Sequence, residues 1–207
     1  MASAALSELA SVPWRPVIDA DRLRRWGRLW TLWTFGWTIP FIAAGAALLW
    51  IQPLAAPVAL IAFAHAWLVP ELHAFRGASV VRRKGARKDD GEPVAQGFLG
   101  DLLDHEPREI HRHTGLVIER GGLGTWLVGE AGAILLPGGR RAHCFCVRAK
   151  GDDLPPSDRV AHLLLALRSD EIGFATIANH SFSGAIWRVR RRMPRDSRPA
   201  LDLARGA

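Results

Sequence analysis

The sequence predicts a membrane-anchored α+β fold, in which an N-terminal two-helix transmembrane hairpin precedes a cytoplasmic domain with a mostly antiparallel sheet and packed helices. Three features carry this expectation. No Asp, Glu, Lys or Arg occurs between Leu29 and Pro70, arginines crowd both flanks of that stretch, and the second half of the chain alternates short apolar runs with Gly and Pro turns. Whole-chain averages conceal the first feature, because 49% hydrophobic residues and a mean hydropathy of +0.06 are ordinary values.

Residues 1–28 read as a cytoplasmic N-terminal segment and 29–75 as the hairpin. From Leu29 to Ile51 the chain runs LWTLWTFGWTIPFIAAGAALLWI, which as a helix is about 34 Å long and able to cross a hydrocarbon core of ~30 Å. Gln52 to Pro57 forms an uncharged break. Val58 to Val69 then continues apolar up to Pro70, a shorter span that is expected to insert by packing on the first. Gly36, Ala44, Gly45 and Ala47 on one helix and Ala55, Ala59, Ala62 and Ala66 on the other permit a close approach. Pro40 predicts a kink, since it removes an interior hydrogen bond. Arginines at Arg22 to Arg28 and in the run Arg76 to Lys88 flank the hairpin outside while its turn is uncharged, which places both termini in the cytoplasm. The length of the segment ahead of Leu29 and the second apolar run argue against a cleaved signal peptide.

Trp26, Trp30, Trp33 and Trp37 share one helical stripe, beside a second stripe of Thr31, Thr34 and Thr38. With no axial ligand among the tryptophans, the stripe predicts interfacial anchoring continued into a packing seam, and no cofactor is expected. His65 is the one ionisable residue inside the spans, where such groups are costly enough to suggest a role. A structural hydrogen bond to a threonine of the first helix is its expected part.

Residues 76–92 form a basic juxtamembrane linker whose Arg82, Arg83 and Lys84 are expected to lie on anionic headgroups. The α+β domain, 93–195, opens with helical spacing at Val94, Phe98, Leu99, Leu102 and Leu103, and Pro107 starts or kinks a second helix that Gly115 caps. Leu116 to Ile118, Thr125 to Val128, Ala133 to Leu136 and His143 to Val147 read as strands. Compact turns at Gly121-Gly122, Gly129 to Gly132 and Pro137 to Gly139 join them into an antiparallel meander. Pro155-Pro156-Ser157 opens a helix through Val160, Leu163, Leu164 and Leu167, capped by Ser157 or Asp158, and a less regular helix follows from Asp170 to Asn179. Ala185 to Met193 alternates Trp187, Val189 and Met193 with Arg188, Arg190 and Arg192, which predicts a last strand with an arginine face toward an anionic surface. The helices are expected on one side of the sheet, and residues 196–207 as a disordered tail.

The chain carries 27 Lys and Arg against 20 Asp and Glu, a net charge of +7. Nucleic acid is not an expected partner, because no binding motif is present and the aromatic residues of the domain do not interleave its arginines. Cys144 and Cys146 stand two apart and are badly placed to bridge, so they read as small buried hydrophobes in a reducing compartment. No Walker loop, Rossmann glycine pattern or G-x-S-x-G elbow occurs. His105, Glu109 and His113 recur every four residues, and with Asp101 they would form a polar stripe if one helix ran through Pro107. Such a stripe is also what the solvated side of an amphipathic helix looks like. The expected class is therefore a membrane-tethered binding, scaffolding or regulatory protein. Its partners would be the bilayer, its anionic headgroups, and a protein or second copy bound through the hairpin. The alternative is a membrane-bound metal-dependent hydrolase using His105, Glu109 and His113. Arginine outnumbering lysine, with abundant Ala and Gly, suggests a bacterium of high genomic GC content and hence its inner membrane.

Overall fold

The computed structural model describes residues 15–83, 91–147 and 154–206. Two long helices lead the chain: α1 (Ala20–Ile51) and α2 (Ala56–Ser79), joined by a single 3-10 turn at Pro53–Ala55. Each is long and apolar enough to cross a membrane, with 11% and 17% of the respective apolar windows buried. Helix α1 starts earlier than the charge pattern suggests, because Asp19 caps it by accepting a hydrogen bond from the Arg22 N–H at 2.6 Å. It runs on through Pro40, and α2 runs on through Pro70. The hairpin closes where Gly45 of α1 meets the Phe63 ring, a contact that leaves no room for a Cβ.

The remaining elements are α3 (Glu92–Asp101), α4 (His105–Thr114), β1 (Val117–Arg120), β2 (Thr125–Gly129), β3 (Gly132–Leu136), β4 (Arg141–Cys146), α5 (Pro156–Ser169), α6 (Glu171–Ile177), β5 (Asn179–Ala185), α7 (Ile186–Arg192) and α8 (Arg198–Gly206). The five strands form one antiparallel sheet in the order β1-β2-β3-β4-β5. Gly129 pairs with Gly132 across the two-residue turn Glu130-Ala131, and Gly115 caps α4 in the left-handed region at φ 71°, donating to His111 O at 2.7 Å.

Helices cover both faces of this sheet, not one. On one face Trp126, Val128, Ala133, Leu135 and Phe145 pack against Leu23 of α1, Leu99 of α3, Val160 and Leu164 of α5 and Phe174 of α6. On the other, Leu127, Ile134, Leu136, Cys144 and Phe182 meet Ala74 and Ala78 of α2, Val189 of α7 and Leu201 of α8. Every residue of β3 is buried, as a strand sandwiched between two layers requires.

Three further expectations change. The segment read as an arginine-faced strand is helix α7, because Ile186, Val189 and Met193 bury one side at a spacing of three and four while Trp187 points outward. The tail read as disordered contains α8, which buries Ala200, Leu201 and Ala204. Neither Ser157 nor Asp158 caps α5. The Ser157 N–H and hydroxyl instead donate to the Glu92 carboxylate on α3, at 3.2 and 2.6 Å.

The hairpin and domain are not separable at 75/76, since α2 continues to Ser79 and Val80 and Val81 are buried after it. At Gly77, α2 approaches β5 so closely that an added Cβ would lie 2.7 Å from Phe182 Cβ and 2.8 Å from Cγ. Gly77→Ala is therefore expected to destabilise the folded chain by about 1–3 kcal/mol, the usual cost of overpacking a close contact. Thermal unfolding in mild detergent followed by near-ultraviolet circular dichroism checks this, and an unchanged midpoint would show that the contact yields freely.

Candidate functional site at the base of the hairpin

Helix α1 passes over the end of the sheet where β5 is the edge strand, and its aromatic stripe meets two histidines there. Trp26 stacks on His180 with ring centroids 4.8 Å apart and planes at 26°. The Trp30 indole Nε1–H donates to His180 Nδ1 at 3.3 Å, and His180 Nε2 lies 3.4 Å from His143 Nδ1 on the neighbouring strand. Because an indole can only donate, His180 Nδ1 must be the acceptor and its proton must sit on Nε2. His180 then donates to His143 Nδ1, so the donors run in one direction from Trp30 through His180 to His143. Both rings must be neutral for this chain to exist. Burial pushes His143 down to about 3, with His180 and Arg141 adding to the effect, and burial lowers His180 to about 4. Trp30 also packs edge-on against His73 of α2 at 5.7 Å and against Phe182 at 5.9 Å. A cavity of about 430 Å³ opens beside this seam, lined by Arg15, Trp26, Trp30, Thr176, Asn179 and His180.

At the residues that directly follow these two tryptophans in α1, Arg141 of β4 reaches the helix backbone. Its Nη1 donates to Gly27 O at 2.6 Å and its Nη2 to Thr31 Oγ1 at 2.9 Å. Glycine at 27 makes this possible, because a Cβ there would lie 2.7 Å from Arg141 Cδ. Burial lowers the Arg141 pKa, and none of the ion pairs among the described residues involves this guanidinium. Beside it lies a second cavity of about 310 Å³, bounded by α1 (Thr31, Thr34, Phe35, Thr38), Pro70 of α2, the end of β5 and Arg188 of α7. Among the described residues, Ser183 Oγ is the buried side-chain polar atom without a hydrogen-bond partner, and Ser183 lies in the wall of this cavity.

The residues singled out from the sequence are scattered. His65 bonds the carbonyl of Ile61 in its own helix at 2.8 Å and stacks on Phe41 at 5.6 Å, so its expected threonine partner is replaced by a backbone oxygen and a ring. Arg82 lies over the Phe75 ring at 5.2 Å, Arg83 stands beside His111, and Lys84 falls outside the described residues. Arg188 lies over the Trp187 ring at 5.1 Å, while Arg190 is paired with Asp202 at 2.7 Å and Arg192 with Glu71 at 2.5 Å.

His105, Glu109 and His113 do share helix α4, but α3 ends at Asp101, so no single helix carries the fourth member. Glu109 Oε2 meets Arg112 at 2.8 Å and His113 at 3.6 Å on an exposed surface. No group of three His, Cys, Asp or Glu among the described residues is arranged to hold a metal. Sequence reasoning missed His143, Arg141 and Ser183 and set aside His180, in the polar run Asn179-His180-Ser181, because adjacency in sequence gives no site geometry; their meeting depends on β5, a strand of mostly small and polar residues with no apolar alternation. Comparison with family models, with curated proteins and with solved structures returns no match for this chain.

Proposed function

We propose that the chain is a membrane-embedded binding or regulatory protein, with its hairpin crossing the bilayer and its α+β domain held against the cytoplasmic surface by the base of that hairpin. One observation carries this reading: the far two-thirds of both helices present apolar side chains that nothing among the described residues covers. Leu32, Phe35, Ile39 and Ile42 of α1 and Leu54, Val58, Leu60 and Ile61 around the turn and α2 are all at least half exposed. A contiguous apolar surface of this kind marks a membrane or protein contact. The 18 residues from Thr34 to Ile51 rise about 27 Å, close to the ~30 Å hydrocarbon core.

At the level where the helices meet the domain, Trp33, Trp37, Trp67 and Trp187 are exposed, and Arg188 and Arg191 lie over the Trp187 and Trp67 rings. Exposed tryptophans beside cations are the signature of a headgroup layer. The uncharged tip and the arginines at the opposite end favour a cytoplasmic domain.

A variant carrying Trp50→Cys and Cys146→Ser tests the topology. Its new thiol sits at the tip, while Cys144 is buried with its pKa pushed up and stays unreactive. The expected result is labelling by a membrane-impermeant maleimide from outside the inner membrane, together with retention in the membrane after alkaline extraction. Release by alkali, or labelling only after lysis, would overturn the reading.

A further inference from the structure

We propose that the cavity between α1, the end of β5 and α7 binds the phosphodiester headgroup of an anionic glycerophospholipid, with Arg141 and Arg188 as its cationic ligands. The site rests on the membrane-embedded reading above. Two features converge on it. Arg141 is a half-buried guanidinium whose donors reach only neutral oxygens, Gly27 O and Thr31 Oγ1. Burying a cation is costly unless an anion accompanies it, and no described carboxylate supplies one here. Arg188, which also lines the cavity, lies over the Trp187 ring and is likewise in none of those ion pairs. On the same helix Arg190 and Arg192 are neutralised by Asp202 and Glu71, while Arg191 lies over the Trp67 ring and is not among the residues lining the cavity. Two guanidiniums without a carboxylate, facing one volume, are suited to phosphate, which accepts their forked donors from more than one side.

The occupant is a lipid and not a soluble phosphoester because of where the cavity lies. Its outer wall is Phe35, Thr38 and Pro70, the residues at which both helices leave the domain. Beyond them Ile39 and Ile42 of α1 continue as exposed apolar surface. A molecule with its phosphate on the arginines can lay its acyl chains along that surface without crossing any polar group. At about 310 Å³ the cavity is at the lower end of small-molecule sites, enough for a headgroup and not for a whole lipid.

The test uses the full chain reconstituted in nanodiscs and bromine-labelled lipids, which quench nearby tryptophans. Brominated phosphatidylglycerol is expected to quench the Trp187 region at much lower mole fraction than brominated phosphatidylcholine. Arg188→Gln should weaken that preference about tenfold, the loss of one charge-assisted contact. Arg190→Gln, on the same short helix but outside the cavity, should leave it unchanged. Arg141→Gln is expected to act in the same direction, but because Arg141 also ties α1 to β4, Arg188→Gln is the deciding variant. Equal quenching by the two lipids, or an Arg188→Gln variant indistinguishable from the parent, overturns the site. Displacement of phosphatidylglycerol by millimolar glycerol phosphate would reassign it to a soluble ligand and also overturn the lipid proposal. A chain that fails to incorporate into pure phosphatidylcholine discs would instead count against the membrane hairpin itself.

Discussion

Arg192→Met is expected to destabilise the folded chain by about 3–5 kcal/mol, more than Glu71→Gln at the other end of the same pair. Arg192 of α7 donates through Nε and Nη2 to one carboxylate oxygen of Glu71 in α2, at 2.8 and 2.5 Å. The two partners are unequally buried: the Glu71 side chain is 4% exposed and that of Arg192 30%. Removing the arginine strands an unpaired carboxylate in the interior. Removing the carboxylate leaves a guanidinium that solvent can still reach. The pair also joins residues 121 positions apart, and so fastens the hairpin to the last third of the chain. Replacing both together, as Glu71→Leu with Arg192→Met, should recover most of the loss, because an apolar pair of similar volume suffers no desolvation. Thermal or denaturant unfolding of the parent, Arg192→Met, Glu71→Leu and the double variant in one detergent provides the cycle. If the two single losses simply add in the double variant, the pair is not acting as a unit and the expectation fails.

The parts of this fold that were legible in the sequence are those in which one segment decides its own conformation. The hairpin announces itself through uncharged apolar length, and β1 to β4 through apolar runs cut by Gly121-Gly122, Gly129 to Gly132 and Pro137 to Gly139. Gly115 was readable as a cap because a left-handed residue after a helix is a glycine's place. What could not be read depends on partners elsewhere. In Ile186 to Met193 the same residues satisfy a period of two and a spacing of three to four, and only the packing against α2 and the sheet selects the helix. Strand β5, NHSFSGA, has too little apolar character to signal itself and is held in place by α1, α2 and β4. The functional candidates His143, His180, Arg141 and Ser183 all depend on that pairing, which is why sequence spacing pointed to the exposed cluster on α4 instead. The near-continuous apolar run Ala133 to Leu136 was itself a signal that both faces of the sheet are covered.

Acidification is expected to loosen the histidine–tryptophan seam before it affects the rest of the molecule. His143 and His180 have folded pKa values of about 3 and about 4, against about 6.5 for an unconstrained histidine. The unfolded chain therefore binds protons below about pH 6.5 that the folded chain refuses, so stability is greatest above that pH and falls as pH drops from 6.5 toward 4. Each of the two contributes roughly 1.4 kcal/mol per pH unit inside that window, or about 2 kcal/mol at pH 5. His111, lowered to about 4 by burial and by Arg83 against the opposing pull of Glu92, adds a separate slope of similar size from α4. The directed chain Trp30 to His180 to His143 explains why the seam cannot simply accept a proton: protonated His180 would turn a second donor toward the Trp30 indole, and protonated His143 would turn one toward His180. Measured between pH 7.5 and pH 5, the unfolding free energy of the parent should fall by about 6 kcal/mol, and the His143→Gln, His180→Gln double variant should lose about two-thirds of that pH dependence while keeping the part due to His111. Parallel pH profiles for the parent and the double variant would show that these rings are not the proton-linked groups, and the neutral hydrogen-bonded seam described for them would have to be abandoned.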